Sequence, residues 1–357
     1  MTDLYIAAGG GGDPIGTLIA ARTITVDPAP PLIATYAWER PEVDPTHSPL
    51  GKRDFAGLAR EAGGAAAFTS ATRPRLPAGS TMPGLARDLP ARLLLLDPTH
   101  GLSSLSRQIA SMAEAAGGRR IRIVDIGGDV LTHGDEPGLC SPFGDAYTLA
   151  ACHLTGILTT VYLAGPGLDG EIGEHPLLER LAGHLPLIPS RSAASAAAPA
   201  LAWHPSEASA LWAAAIHGTR GTVRTARDTI HLTDVSPRLY HLPLQEALGH
   251  NPVARALVDE RPATLDAAAD LSHRLTGIHG LEPERDRTPQ PEPPADPPAG
   301  NTGFRSQDVT MKTLREAACG ADHVTFRYAA RTLGLTWTDI PALRGILNTG
   351  TPLLQLT

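Results

Sequence analysis

A chain of 357 residues, 42% hydrophobic and 19% charged, has the length of about two domains and the composition of a water-soluble globular protein. A formal net charge of -7 lacks the basic surplus of a nucleic-acid-binding protein, and no apolar run reaches the ~18 residues of a membrane span. The first residues enter a strand-like segment without the basic region of a secretory signal, so none is expected, and Cys140, Cys152 and Cys319 form no C-x-x-C pair and fit a reduced cytoplasm.

Residues 4–8 read as a short buried strand. It runs into Gly9-Gly10-Gly11-Gly12-Asp13-Pro14-Ile15-Gly16 and then into a helix-like segment over 17–23. Strand, glycine loop and helix together aim backbone N–H groups and a helix N-terminus at an anion. The glycines do not satisfy G-x-G-x-x-G in any register, and Thr17 stands where a Walker A loop has Lys. No nicotinamide or flavin site is therefore read here. The loop is a generic ligand-facing one, with Gly10, Gly11, Gly12 and Asp13 as substrate-binding candidates; Asp13 serves either the site or the helix cap.

A second strand spans 32–38 and ends at Glu39, where a ribose-binding acid would sit in a dinucleotide fold. A polar loop follows as far as Arg53. A short apolar piece ends at Phe68-Thr69. A strand at 92–96 closes on Asp97-Pro98-Thr99-His100-Gly101. A helix over 103–116 shows Leu105, Ile109 and Met112 on one face and stops at Gly117-Gly118.

The next strand, 121–126, is mostly apolar and stops at Gly127-Gly128. Asp125 closes it, and Asp129, His133, Asp135, Glu136, Ser141 and Asp145 follow within about twenty residues. Clustered carboxylates repel one another unless a cation, an arginine or a proton intervenes, and oxygen-rich clusters suit Mg²⁺ or Mn²⁺. Asp129, His133 and Glu136 are the catalytic candidates. Gly127, Gly128 and Ser141 are candidates for substrate binding. The structural alternatives are helix caps at Asp135 and Asp145 and an Asx-turn at Asp129. Ser141 lacks a G-x-S-x-G elbow, and an N-cap is its favoured role. Cys140 has no adjacent base.

A helix over 146–156 leads to a strand at 158–164 and to Gly165-Pro166-Gly167-Leu168-Asp169-Gly170-Glu171. Asp169 and Glu171 join the substrate-binding candidates, and Asp125, Asp129 and Asp169 form the expected metal ligands. Helices over 177–183, 207–217 and 264–275, a strand pair at 222–226 and 229–232, and a strand at 239–242 complete the pattern. The Ala/Ser-rich stretch 190–202 has no assigned structure.

This alternation predicts an α/β, Rossmann-like, doubly wound and mostly parallel sheet over 1–283. Such sheets bind ligands at the carboxyl ends of their strands, so the three glycine-and-acid loops are expected to converge. A Pro-rich linker follows at 284–301. A small helical unit at 302–357 follows it, with helices over 313–318, 325–333 and 337–347.

Four motifs carry a family resemblance: G-G-G-G-D-P-I-G from Gly9, D-I-G-G-D-V-L-T-H-G-D-E from Asp125, L-C-S-P-F-G-D from Leu139 and G-P-G-L-D-G-E from Gly165. Together they resemble the uncharacterised family catalogued as domain of unknown function 1152, over about residues 3–283. The resemblance implies the fold and the site positions and leaves the reaction open. The expected function is a cytoplasmic enzyme of small-molecule metabolism, of hydrolase, lyase or transferase type. It would take an anionic or nucleotide-like substrate and use Mg²⁺ or Mn²⁺. The alternatives are a non-catalytic ligand-binding or regulatory protein and an accessory protein of a biosynthetic pathway.

Overall fold

The computed structural model describes residues 3–25, 27, 29–118, 120–281 and 306–356. The Pro-rich stretch read as a linker lies outside the described residues.

Eight strands form one sheet. They are β1 (Leu4–Ala7), β2 (Leu32–Tyr36), β3 (Ala59–Arg60), β4 (Ala66–Ala67), β5 (Arg92–Leu96), β6 (Arg120–Ile126), β7 (Leu158–Ala164) and β8 (Leu239–Pro243). Their order across the sheet is β8-β7-β6-β1-β2-β5-β4-β3. The five central strands, from β7 to β5, run parallel. The edge pairings, β8 with β7 and the short β4 with β5 and β3, are antiparallel. The chain builds outward from β1 through β2 to β5, then returns to the other side of β1 with β6. That reversal opens a crevice at the carboxyl ends of β1 and β6. The fold is the Rossmann-like α/β sheet expected.

Both faces of the sheet are covered, and the period-2 alternation of each strand divides its side chains between two cores. Leu4 and Ile6 of β1, with Ile121 and Ile123 of β6, pack with α2 (Leu102–Ala115), α3 (Pro142–Leu154) and α5 (Pro252–Glu260). Tyr5, Ala7, Val124 and Ile126 pack with α1 (Asp13–Ile24) and α4 (Glu207–His217). The central strands are apolar on both faces because helices bury both. The stretch left unassigned, 190–202, holds two short helices, Arg191–Ser195 and Ala198–Leu201. Among the described residues no helix is long and apolar enough to cross a membrane.

The C-terminal helices α6 (Gln307–Ala317), α7 (Phe326–Thr332) and α8 (Ile340–Leu347) share a small core of their own. Two dipeptide strands, His323–Val324 and Leu354–Gln355, add to them. These strands extend the hairpin Gly221–Arg224 and Thr229–Leu232 into a four-stranded sheet. Side chains tie the unit to the main body as well. Arg327 of α7 binds Glu42 in bidentate fashion (Nε to Oε1 2.7 Å, Nη2 to Oε2 2.9 Å). It also binds the buried Glu207, at 3.1 Å. Trp337 Nε1 donates to the carbonyl of Glu42 at 3.0 Å, and Arg344 donates to that of Leu201 at 3.1 Å.

Arg327 is itself buried, so removing it strands the Glu207 carboxylate without its cation. Arg327→Met is expected to lower unfolding free energy by about 3–5 kcal/mol, read by urea denaturation. An unchanged midpoint would show that the contact contributes nothing net.

Candidate functional site

The parity of β6 aims its acid. Ile121 and Ile123 face the α2/α3 side, and Asp125 shares that parity, so its side chain points towards the first turn of α3. Asp145 sits in that turn. Beyond Ile126 the backbone takes two left-handed positions, Gly127 (φ 129°) and Gly128 (φ 131°). A Cβ on Gly127 would lie 2.2 Å from Cγ of Asp169, and one on Gly128 would lie 2.5 Å from Cδ1 of Leu177. These two glycines make room for neighbouring side chains and do not line the cavity. The turn they allow brings Asp129 back towards Asp125.

The three loops meet in a cavity of about 240 Å³. One carboxylate oxygen from each of Asp125, Asp129 and Asp145 lies within 4.8 Å of the others. Burial pushes all three carboxyls well above the usual carboxylate range, and the charge of neighbouring acids adds to it. Asp145 Oδ1 is buried without a hydrogen-bond partner. Asp13 accepts from the N–H of Gly9 at 2.8 Å; burial pushes it up to about 6, against the pull of that N–H and of Arg40. Asp169 is pushed up to about 7, by burial first and by the charge of Glu171 second. The donor set is oxygen only, as hard divalent cations prefer. A Mg²⁺ with bonds of about 2.1 Å holds its ligands no more than about 4.2 Å apart, so a small inward rotation of the carboxylates would close on one ion.

Beside this cluster, Gly10, Gly11 and Gly12 line the cavity; the Gly10 N–H is turned to the Asp13 carboxylate, and the N–H groups of Gly11 and Gly12 donate to nothing among the described residues. Positive φ at Gly10 and Gly11 turns the loop out of the strand. A Cβ at Gly12 would strike Ser206 at 2.3 Å.

Glu171 closes the start of α3. Its Oε2 accepts the N–H groups of Cys140 (2.8 Å) and Ser141 (2.9 Å), and its Oε1 accepts the Ser141 hydroxyl. Ser141 occupies the N-cap position, but its side chain makes no cap bond. A carboxylate from the loop after β7 instead anchors the residues that lead into the helix, and the absence of a cap bond corrects the capping role expected of the serine.

The rest of the wall comes from loops that carried no local motif. Trp38, Glu39, Arg40 and His47 follow β2, and His204 and Ser206 precede α4. His204 is buried, and burial and the charge of Arg40 push it down to about 3, so it is neutral. Its Nδ1 accepts the N–H of Ser206 at 3.0 Å.

The sequence model of the family described as "Protein of unknown function (DUF1152)" matches residues 4–288. The chain belongs to this family. All the cavity residues named above fall within the matched span, and the C-terminal unit at 306–356 lies beyond it. No curated protein and no solved structure matches the chain.

Within this family member the structure brings Gly10, Gly11, Gly12, Asp13, Asp125, Asp129, Ser141, Asp169 and Glu171 to one cavity. It does not bring His133 or Glu136 there. His133 is exposed and stacks on His250, with Nε2 3.2 Å from His250 Nδ1. Glu136 accepts from its own turn at Thr132 and His133 and pairs with Arg180 at 2.7 Å. Burial pushes Glu136 up, but those bonds outweigh it and hold it at about 2. Asp145 belongs to the carboxylate group, although its place in the first turn of a helix reads as a cap.

These acids make folding depend on pH. Asp13 and Asp169 sit at about 6 and about 7 when folded and near the ordinary ~3.9 when unfolded. The native state therefore binds more protons. That stability is full below ~4 and is lost as pH rises through the folded values. Without divalent cations, the melting temperature is expected to fall steadily between pH 5 and pH 8. A flat or rising profile would contradict the burial of these acids.

Proposed function

We propose that the protein is a divalent-cation-dependent enzyme of small-molecule metabolism. It acts on an anionic, nucleotide-like substrate by hydrolysis or group transfer. The observation that carries this reading is the buried group of Asp125, Asp129 and Asp145, with one Asp145 oxygen left without a partner. Concentrated buried charge of one sign costs free energy in the empty site. A bound Mg²⁺ or Mn²⁺ repays it and polarises a substrate oxygen.

The free N–H groups of Gly11 and Gly12, at the N-terminus of α1, are suited to the substrate's anionic group. Arg40 adds positive charge on the same wall. Asp169, held at about 7, is suited to proton transfer near neutral pH. Glu171 and Ser141 hold the entry to α3 so that Asp145 keeps its place. His133 and Glu136 have no part in this reading, since neither reaches the cavity. A reducing, cytoplasmic location fits Cys140, Cys152 and Cys319, which form no disulfide among the described residues.

The test is thermal melting at pH 8 with Mg²⁺ or Mn²⁺, joined to metal analysis of protein purified without chelator. The wild type is expected to gain several degrees from the cation. Asp129→Asn is expected to melt higher than the wild type when metal-free, because one repelling charge is gone, and to gain nothing from the cation. Absence of both bound metal and any cation-induced shift in the wild type would sink the proposal.

A further inference from the structure

The end of β2 brings another carboxylate to the cavity, and its bonding is half complete. Glu39 is 6% exposed and lines the cavity. Its Oε1 accepts three donors: the N–H of Thr81 (2.7 Å), the Thr81 hydroxyl (2.7 Å) and the Ser80 hydroxyl (3.2 Å). Its Oε2 makes no hydrogen bond among the described residues and is not among the sealed, unpartnered atoms.

The proton positions behind this are determined. A backbone N–H can only donate, so Ser206 N–H places the lone pair of His204 on Nδ1. Neutral His204 then carries its proton on Nε2, 3.0 Å from Thr81 Oγ1. The Thr81 hydroxyl accepts that hydrogen bond and donates one of its own to Glu39 Oε1. The chain of donors ends on one oxygen and leaves the other for a ligand. Burial raises the proton affinity of Glu39, and a ligand that donates to the open oxygen favours the ionised form, which accepts only.

The place of Glu39 narrows the class of donor. A Cβ on Gly10 would lie 3.3 Å from Cβ of Trp38, so the end of β2 abuts the glycine loop. A ligand with its anionic group on that loop would set the adjoining part of its skeleton against Glu39. Arg40 next door disfavours an ammonium group. Trp38, half-buried on the same wall, offers a ring surface to a flat heterocycle.

We infer that Glu39 accepts hydrogen bonds from the sugar hydroxyls of a ribonucleotide whose phosphates rest on the Gly11 and Gly12 amides. The position agrees with the place where doubly wound sheets receive a ribose. This inference rests on the nucleotide-like reading of the site.

The experiment measures binding to the full chain in Mg²⁺ by calorimetry. The probes are ATP, GTP, CTP and UTP, their 2′-deoxy and 3′-deoxy forms, and inorganic tripolyphosphate. At least one ribonucleotide is expected to bind about tenfold or more tighter than a deoxy form lacking one of the hydroxyls, and tighter than tripolyphosphate. Glu39→Gln keeps an oxygen for Thr81 and replaces the free one with an amide. It is expected to lose the ribose preference while keeping tripolyphosphate affinity and Mn²⁺ binding. Equal affinity for ribo and deoxy forms in the wild type overturns the inference without the need of a variant. So does tripolyphosphate binding as tightly as every nucleotide, or a ribose preference that survives in Glu39→Gln; in each case the anion and metal reading still stands. If Mn²⁺, tripolyphosphate and the nucleotides all fail to bind, the functional reading itself falls and the inference with it.

Discussion

Like-charge repulsion in a confined, dry space is the constraint on which the rest of this structure turns. Asp125, Asp129 and Asp145 each bring a carboxylate oxygen within 4.8 Å of the others, with Asp13 and Asp169 lining the same cavity. No fold gathers such a group for stability, because each added carboxylate raises the proton affinity of the others. Stability is spent at this edge, and the large apolar cores on both sides of the sheet make the expense tolerable. The same cores hold the strand ends from which the acids project.

Two walls define the cavity, and they are held differently. The acidic wall is built into the sheet: the parity of β6 aims Asp125, Gly127 admits Asp169, and Glu171 binds the start of α3. The other wall is made of loops after β2 and before α4, and its rigidity is borrowed. Glu42 adjoins the lining residues Pro41 and Val43, and Glu207 adjoins Ser206 and Ala208. Arg327 grips both carboxylates. A unit outside the family match thus steadies a wall that lies inside it.

The sheet could be read in the sequence because buried parallel strands are apolar runs broken by glycine and acid, and each such break fell at a true strand end. The same breaks located Asp125, Asp129, Asp169 and the Gly10–Gly12 loop. Nearness in sequence misled at His133 and Glu136. The turn after Leu131 carries them away from the cavity, and the arginine that captures Glu136 lies on a distant helix. Ser141 has the residue type of an N-cap, yet its hydroxyl is drawn instead to Glu171, thirty residues later. His204, Arg40 and Ser206 had no local signal, since only tertiary packing sets them beside the glycine loop. The two-residue strands His323–Val324 and Leu354–Gln355 are too short to show any period.

The four-stranded sheet that joins the hairpin at 221–232 to the chain's last described strand has a consequence for synthesis. A ribosome delivers the chain from the N-terminus, and domains fold as their residues emerge. The acidic wall and the core behind it draw on residues up to Gly280 and can form while translation continues. Glu42 must wait for Arg327, 285 residues later, and the hairpin must wait for Val324, which in turn pairs with Leu354. Until then a nascent chain holds its carboxylates in an open cleft, with one loop wall unbraced. The finished cavity comes into being only once Arg327 and the strand at Leu354 have emerged.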